Sequence, residues 1–260
     1  MYNAMSLSVQ GASHLRKNSV CQDSSRFVCA EGYAIAAVSD GHGSQNHFRS
    51  DIGSKLAVNV AIESVKDFLQ HPSAHEKHLK QLAKNILLKW NNAVREHYNS
   101  NPPTGEHNYD PGKIEVIYGA TLLAAAATKN YWFAIQIGDG NCVSYYADGR
   151  FEHNVPEDNR LIYNMTTSLC DADAIDSFRH YYSEEKPAAI FLTTDGVLNS
   201  FDASGGQSYF HKFLEKIMNS LQQYKPHEVE EELRSYLPEL SKKGSGDDVS
   251  VAVIFDLGSS

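Results

Sequence analysis

Residues 33–44 read YAIAAVSDGHGS. The run from Tyr33 to Ser39 is apolar and too short for a helix, and Asp40-Gly41 is a favoured turn pair. The segment therefore predicts a buried strand that ends in a tight turn. The design recurs along the chain. Ala188 to Thr194 is a second apolar run, ending at Asp195-Gly196. Val249 to Phe255 is a third, entered through Gly246-Asp247-Asp248, and Ile137 runs into Gly138-Asp139-Gly140. Turn chemistry alone explains any one of these. Together they predict more, because a rigid sheet can carry carboxylates that are distant in sequence to one point. Gathered there, they repel one another unless cations lie between them. Oxygen donors without a His/Cys set favour Mg²⁺ or Mn²⁺ over zinc. Glycine after Asp40 allows a backbone or a substrate to come close.

From Asn46 to Tyr98, apolar residues fall at Ile52, Leu56, Val60 and Val65, then at Leu79, Leu82, Ile86 and Trp90. This spacing predicts two amphipathic helices broken near Pro72. Asn99 to Lys113 is rich in proline and glycine and predicts a loop. Ile114–Tyr118, Thr121–Ala127, Tyr131–Ile137 and Cys142–Tyr146 read as strands of an antiparallel meander. Asn154 to Glu185 is polar and irregular, a flap beside a site. Gly206–Leu221 and Pro226–Leu240 read as helices. No repeat or linker divides the chain, so a single α+β domain over residues 1–260 is expected.

The formal charge is −9, from 23 Lys+Arg against 32 Asp+Glu. That balance argues against general nucleic-acid binding and suits a carboxylate-rich cation site. The four cysteines, Cys21, Cys29, Cys142 and Cys170, form no C-x-x-C pair and predict free thiols in a reducing compartment. No signal-like N-terminus stands out, and the apolar stretch Ala120–Ala127 is far short of the ~20 residues of a spanning helix. A cytoplasmic protein with no membrane partner is expected.

The ordered motifs resemble the metal-dependent protein phosphatases of the PP2C (PPM) type, especially the compact bacterial members. Gly11 to Asp23 is similar to the first motif and Val38 to Ser44 to the second. Gly119-Ala120-Thr121 resembles the mid-chain strand motif, and Ile137-Gly138-Asp139 the Gly-Asp-Ser motif. Phe191 to Val197, FLTTDGV, and Gly246 to Val251, GDDVSV, resemble the last two.

The resemblance implies a central antiparallel β-sandwich flanked by helices, in four αββα layers. It implies hydrolysis of phosphoserine and phosphothreonine by a metal-activated water, with two or three Mn²⁺ or Mg²⁺ ions per chain. By the same analogy Asp40 bridges two cations, the Gly41 carbonyl binds one, and Asp195 and Asp247 complete a shell. Asp139 serves a third cation together with Asp195, and Asp23 holds a metal-bound water. His42 matches the family's general acid, and an unperturbed pKa near ~6.5 suits that task. The partners implied are phosphorylated proteins, in opposition to a Ser/Thr kinase.

Three positions depart from the family. Gln22 stands where the first motif usually carries a glutamate, and an amide is the poorer cation ligand. Asn18 stands where a phosphate-binding arginine is frequent, which leaves Arg16, Lys17 or His14 to supply charge. Asp248 replaces a frequent asparagine. Two rival readings stay open: a pseudophosphatase acting as a binding or regulatory module, and a metal-dependent hydrolase of small phosphoesters.

Overall fold

The computed structural model describes residues 2–71, 75–104, 108–158, 160, 166–201 and 206–258. In chain order the elements are β1 (Asn3–Val9), α1 (Ala12–Lys17), β2 (Ser24–Ala30), β3 (Tyr33–Ser39), α2 (Ser50–Leu69) and α3 (Leu79–Ser100). Then follow β4 (Leu122–Thr128), β5 (Trp132–Ile137), β6 (Asn141–Tyr145), β7 (Phe151–His153), α4 (Ala174–Ser177) and β8 (Arg179–Ser183). The chain continues with β9 (Ala189–Thr193), α5 (Asp195–Leu198), α6 (Gly206–Gln223), α7 (Pro226–Lys243) and β10 (Val249–Phe255).

The strands form two five-stranded sheets, ordered β1-β10-β9-β6-β7 and β2-β3-β4-β5-β8, with antiparallel neighbours throughout. Strand periodicity decides which side chain meets which layer. In β4, Leu122, Ala124 and Ala126 join Ile62, Trp90 and their neighbours under α2 and α3. The alternate residues Leu123, Ala125 and Ala127 face the other sheet, where they meet Ile190, Leu192, Ala252 and Ile254. In β10, Val249, Val251, Val253 and Phe255 turn outward to α6 and α7. The result is the four-layer αββα sandwich, with a small-residue seam between the sheets and larger side chains beneath each helical layer. No described helix is long and apolar enough to cross a membrane.

The helices end where their chemistry dictates. Pro226 opens α7 in a capping box, with the Glu228 carboxylate accepting from the Lys225 N–H at 2.8 Å. Trp90 on α3 is fully buried and its Nε1 donates to the Gly53 carbonyl on α2 at 3.0 Å, which fixes the helix pair on the sheet. The break expected near Pro72 lies outside the described residues.

Two expectations are corrected. Ile114–Tyr118 is a 3₁₀ turn, not a strand. Its Ile117 carbonyl accepts from Arg49 N–H at 2.8 Å, so its backbone is engaged by the entry to α2 rather than by a sheet. The meander also breaks between β5 and β6. Gly138, at φ 101°, turns the chain out of one sheet, and β6 pairs with β9 and β7 in the other. Strand propensity locates such strands but is blind to which sheet receives them. The edge strands β1 and β2 gave no clear sequence signal, whereas β8, within the supposed flap, carries the Tyr181-Tyr182 pair that fits a strand with one face buried.

Replacing Trp90 with alanine is expected to destabilise the protein by about 4 kcal/mol, through the cavity and the orphaned carbonyl. Urea unfolding followed by circular dichroism measures it. Trp90→Phe should cost less than half as much.

Candidate metal and phosphate cleft

The two sheets present the ends of four connections on one side of the sandwich. β3 ends at Asp40, whose N–H donates to Thr121 Oγ1 at 3.0 Å and whose carbonyl accepts from Thr121 N–H at 2.8 Å. The β5–β6 crossover carries Asp139. β9 delivers Asp195 as the first residue of α5, and the approach to β10 carries Asp247 and Asp248. Thr193 pairs with Asn141 on one side and Val251 on the other, which aligns these ends. Asp40, Asp139, Asp195 and Asp247 all line a cleft of about 840 Å³, together with Gln22, Gly41, His42, His14, Lys17 and Arg160. Gly41 is glycine for a steric reason: a Cβ there would stand 2.7 Å from the carbonyl oxygens of both Gln22 and Ser50.

The electrostatics are those of a crowded anionic floor. Burial, and then the charges of Asp23, Asp195, Asp247 and Asp139, push the Asp40 carboxyl well above its ordinary value. Burial followed by Asp139 and Asp247 raises Asp195 to about 6. Burial is also the main cause of the rise at Asp139, and Arg179 opposes it. Asp195 Oδ2 accepts from Asn199 Nδ2 at 3.0 Å, whereas its buried Oδ1 accepts no hydrogen bond. A hydrogen bond shared with the Asp40 carboxyl opposes the rise at Asp195. Two acceptors facing each other need a proton or a cation between them.

The donor set therefore fits hard divalent cations. Among the described residues no three His, Cys, Asp or Glu side chains close into a ready-made ligand cluster. A wide ring of carboxylates suits a hydrated mode of binding, because Mg²⁺ keeps several waters and takes only one or two carboxylates directly.

Behind the floor lies a second set of acids. Asp23 is 5% exposed, and its Oδ2 accepts from Thr194 Oγ1 at 2.7 Å and Ser250 Oγ at 2.8 Å. Burial is the main cause that pushes its carboxyl well up, and the two hydroxyls oppose the rise. Asp248 is 3% exposed and clamps the chain's two ends together. Its Oδ1 accepts from Gly11 N–H at 2.6 Å and lies 2.9 Å from His14 Nδ1, while Oδ2 accepts from Gln22 N–H at 2.6 Å. Sequence reasoning gave Asp248 only a supporting part. Its signal was the doubled aspartate, but the partners are over two hundred residues away.

Gln22 lines the cleft, and its amide nitrogen donates to Ser50 Oγ at 2.6 Å and the His42 carbonyl at 3.3 Å. That leaves Oε1 as the end turned toward Gly43. Of the candidate cations for phosphate, His14 and Lys17 line the cleft. Arg16 is exposed with its guanidinium beside Gly246, and is not among the lining residues. Arg160, which the sequence reading passed over, is on the cleft wall and holds Ser177 Oγ at 2.8 Å and Asp173 at 3.1 Å.

His42 N–H donates to the Gly119 carbonyl at 3.1 Å, and its ring meets that of His47 edge-on at 4.9 Å. Burial and then the His47 charge lower the imidazole to about 4. It is neutral near pH 7 until an anion enters beside it.

A family model described as Protein phosphatase 2C matches residues 10–238. No curated protein sequence matches the chain. Among solved structures, serine/threonine phosphatase Stp1 from Staphylococcus aureus superposes with a TM-score of 0.65 at 12% identity, over 99% of this chain and 96% of that one. PppA, a key regulatory component of T6SS in Pseudomonas aeruginosa, gives 0.61 at 19%, over 98% and 97%. The catalytic domain of serine threonine protein phosphatase PstP in complex with two manganese ions gives 0.59 at 16%, over 98% and 97%. At these identities the likeness is one of fold.

Two measurements check this geometry. Raised carboxyls favour the protonated form in the folded state, so the metal-free native chain binds more protons than the unfolded one between the ordinary carboxyl value of 3.8 and about 6. Stability in EDTA should accordingly be full below that window and fall as pH rises through it, and Mn²⁺ should flatten the dependence. Thermal melts at stepped pH, with and without Mn²⁺, read both. Asp248→Ala orphans two buried N–H groups and should cost about 3 kcal/mol by urea unfolding.

Proposed function

The chain belongs to the protein phosphatase 2C family, and on that premise we propose that it is a single-domain phosphatase, over residues 1–260, that hydrolyses phosphoserine and phosphothreonine in proteins. The observation that carries this reading is the ring of Asp40, Asp139, Asp195 and Asp247 on one cleft, with a buried Asp195 oxygen that has no hydrogen-bond donor. Mn²⁺ or Mg²⁺, two or three per chain, would be held by Asp40, the Gly41 carbonyl, Asp195 and Asp247, with Asp139 and the Gln22 oxygen at the margins. When bound, they supply Lewis acidity toward water and offset charge on the phosphoryl oxygens.

The protein's own groups do the rest. The carboxylates are fixed by strand ends, so they cost no reorganisation when substrate arrives. Lys17 and Arg160 present positive charge on the cleft walls to a phosphate dianion, and His14 lies on the same wall as a hydrogen-bonding group. That dianion favours protonation of His42, offsetting the burial that lowers it, and places a proton beside the departing serine or threonine oxygen. Asp23 acts from behind the floor, with Thr194 and Ser250 fixing the orientation of its carboxyl. The substrates are phosphorylated proteins, so the activity opposes that of a Ser/Thr kinase.

Purified protein is expected to cleave p-nitrophenyl phosphate and phosphothreonine peptides with Mn²⁺ and to fall silent in EDTA. Asp40→Asn or Asp195→Asn should lower kcat/KM by about 100-fold or more. Full activity in either variant rules out the metal assignment. Failure to bind Mn²⁺ at millimolar concentration would make the fold a binding module instead. Preference for nucleotides or sugar phosphates over phosphopeptides would make it a small-phosphoester hydrolase. His42→Ala should slow phosphoserine peptides by about 100-fold but p-nitrophenyl phosphate far less, because nitrophenolate leaves without a proton.

A further inference from the structure

The edge strands of the two sheets, β1 and β2, meet at a seam that also receives α2 and α7, and a pocket of about 400 Å³ opens there. Its walls are unlike the rest of this acidic chain. Arg26 from β2, Lys55 from α2 and Arg234 from α7 converge on it, together with the hydroxyl residues Ser6, Ser8 and Ser25. Among the described lining residues the one acid is Asp23, whose Oδ2 is engaged on the inside by Thr194 and Ser250. Three cations thus face one opening in a protein of formal charge −9.

Each cation has an acidic partner and a partly exposed side chain. Arg26 lies 3.8 Å from Glu63, Lys55 3.7 Å from Asp51, and Arg234 2.7 Å from Glu230, and the side chains of all three cations are 41–61% exposed. Exposed pairs of this kind contribute little. Arg26 is further oriented by Asn59 Oδ1, which accepts from its NH1 at 2.7 Å on the same wall. The hydroxyls are ordered too. Ser8 and Ser25 oxygens are 2.9 Å apart, and Ser250 Oγ lies 2.6 Å from Ser8 and 2.8 Å from Asp23 Oδ2. Guanidinium, ammonium and fixed hydroxyls on several walls make the donor set that phosphoryl oxygens take.

We propose that this seam pocket binds a small polyphosphate, two or three linked phosphoryl groups, either free or carried by a nucleotide. A linked pair or trio of phosphoryl groups supplies enough oxygens for cations carried on three different elements. The ligand would tie β2 and α2 of one half of the sandwich to α7 of the other, and so stabilise the fold. The pocket shares no lining residue with the catalytic cleft, although its Asp23 stands behind that cleft's floor, and binding here does not require the phosphatase reading to hold.

Calorimetric titration with pyrophosphate, ADP and sulfate, in EDTA so that no divalent cation intervenes, tests it. Pyrophosphate or ADP should bind saturably, sulfate much more weakly, and the melting temperature should rise by about 5 °C at a hundredfold excess over Kd. ADP binding more tightly assigns the ligand to nucleotides, and equal binding assigns it to free polyphosphate. The double variant Arg26→Gln/Arg234→Gln should weaken binding at least about tenfold, with Asp195→Asn leaving it unchanged. Lys55→Gln, at an exposed position, should weaken it a few-fold and serves if the double variant does not fold. The proposal is overturned by an absence of saturable binding. It is equally overturned if the pocket variants bind as wild type, or if Asp195→Asn abolishes binding and so places the ligand in the catalytic cleft.

Discussion

Like charges held together against their repulsion are the constraint on which this molecule turns. Asp40, Asp139, Asp195 and Asp247 come from four separate connections, and each is anchored by the hydrogen-bonded end of a strand. An isolated loop would relax such a cluster by swinging its carboxylates into water. Strand ends cannot, because β3, β9 and β10 are held along their lengths by neighbours on both sides. The strain therefore appears as raised carboxyl pKa values and as an Asp195 oxygen without a donor. A divalent cation between the carboxylates would relieve both.

The sandwich also has to keep its two halves in register behind that floor. Here buried polar groups act where apolar packing lacks direction. Asp248 collects the N–H groups of Gly11 and Gln22 and joins the first motif of the chain to the last strand. Asp23 collects hydroxyls from Thr194 and Ser250. Between the sheets the seam is rich in alanine, which lets the layers approach, and at the β1–β2 edge serine takes over. The same substitution of hydroxyl for methyl that binds Asp23 from inside gives the outer pocket its donors.

The carboxylates of the cleft and its basic side chains come from different parts of the fold. Asp40, Asp139, Asp195 and Asp247 belong to the sheet ends, whereas His14, Lys17 and Arg160 come from α1 and from the segment between β7 and α4. His42 lines the same cleft, and burial, followed by the neighbouring His47, lowers its imidazole.

The sequence by itself determined the four Asp-containing turns, the strands that lead into them and the two long helical pairs. Each of those depends on local periodicity and turn chemistry, which neighbours in sequence supply. The ordered motifs were equally legible, and with them the four-layer fold. What only the tertiary structure decided was partnership. It moved β6 into the opposite sheet, turned Ile114–Tyr118 from a strand into a 3₁₀ turn, and brought Arg160 rather than Arg16 to the cleft wall. It also made Asp248 a clamp across the chain's two ends. These outcomes depend on contacts between residues far apart along the chain, where hydrogen-bond satisfaction and burial, not propensity, choose between alternatives.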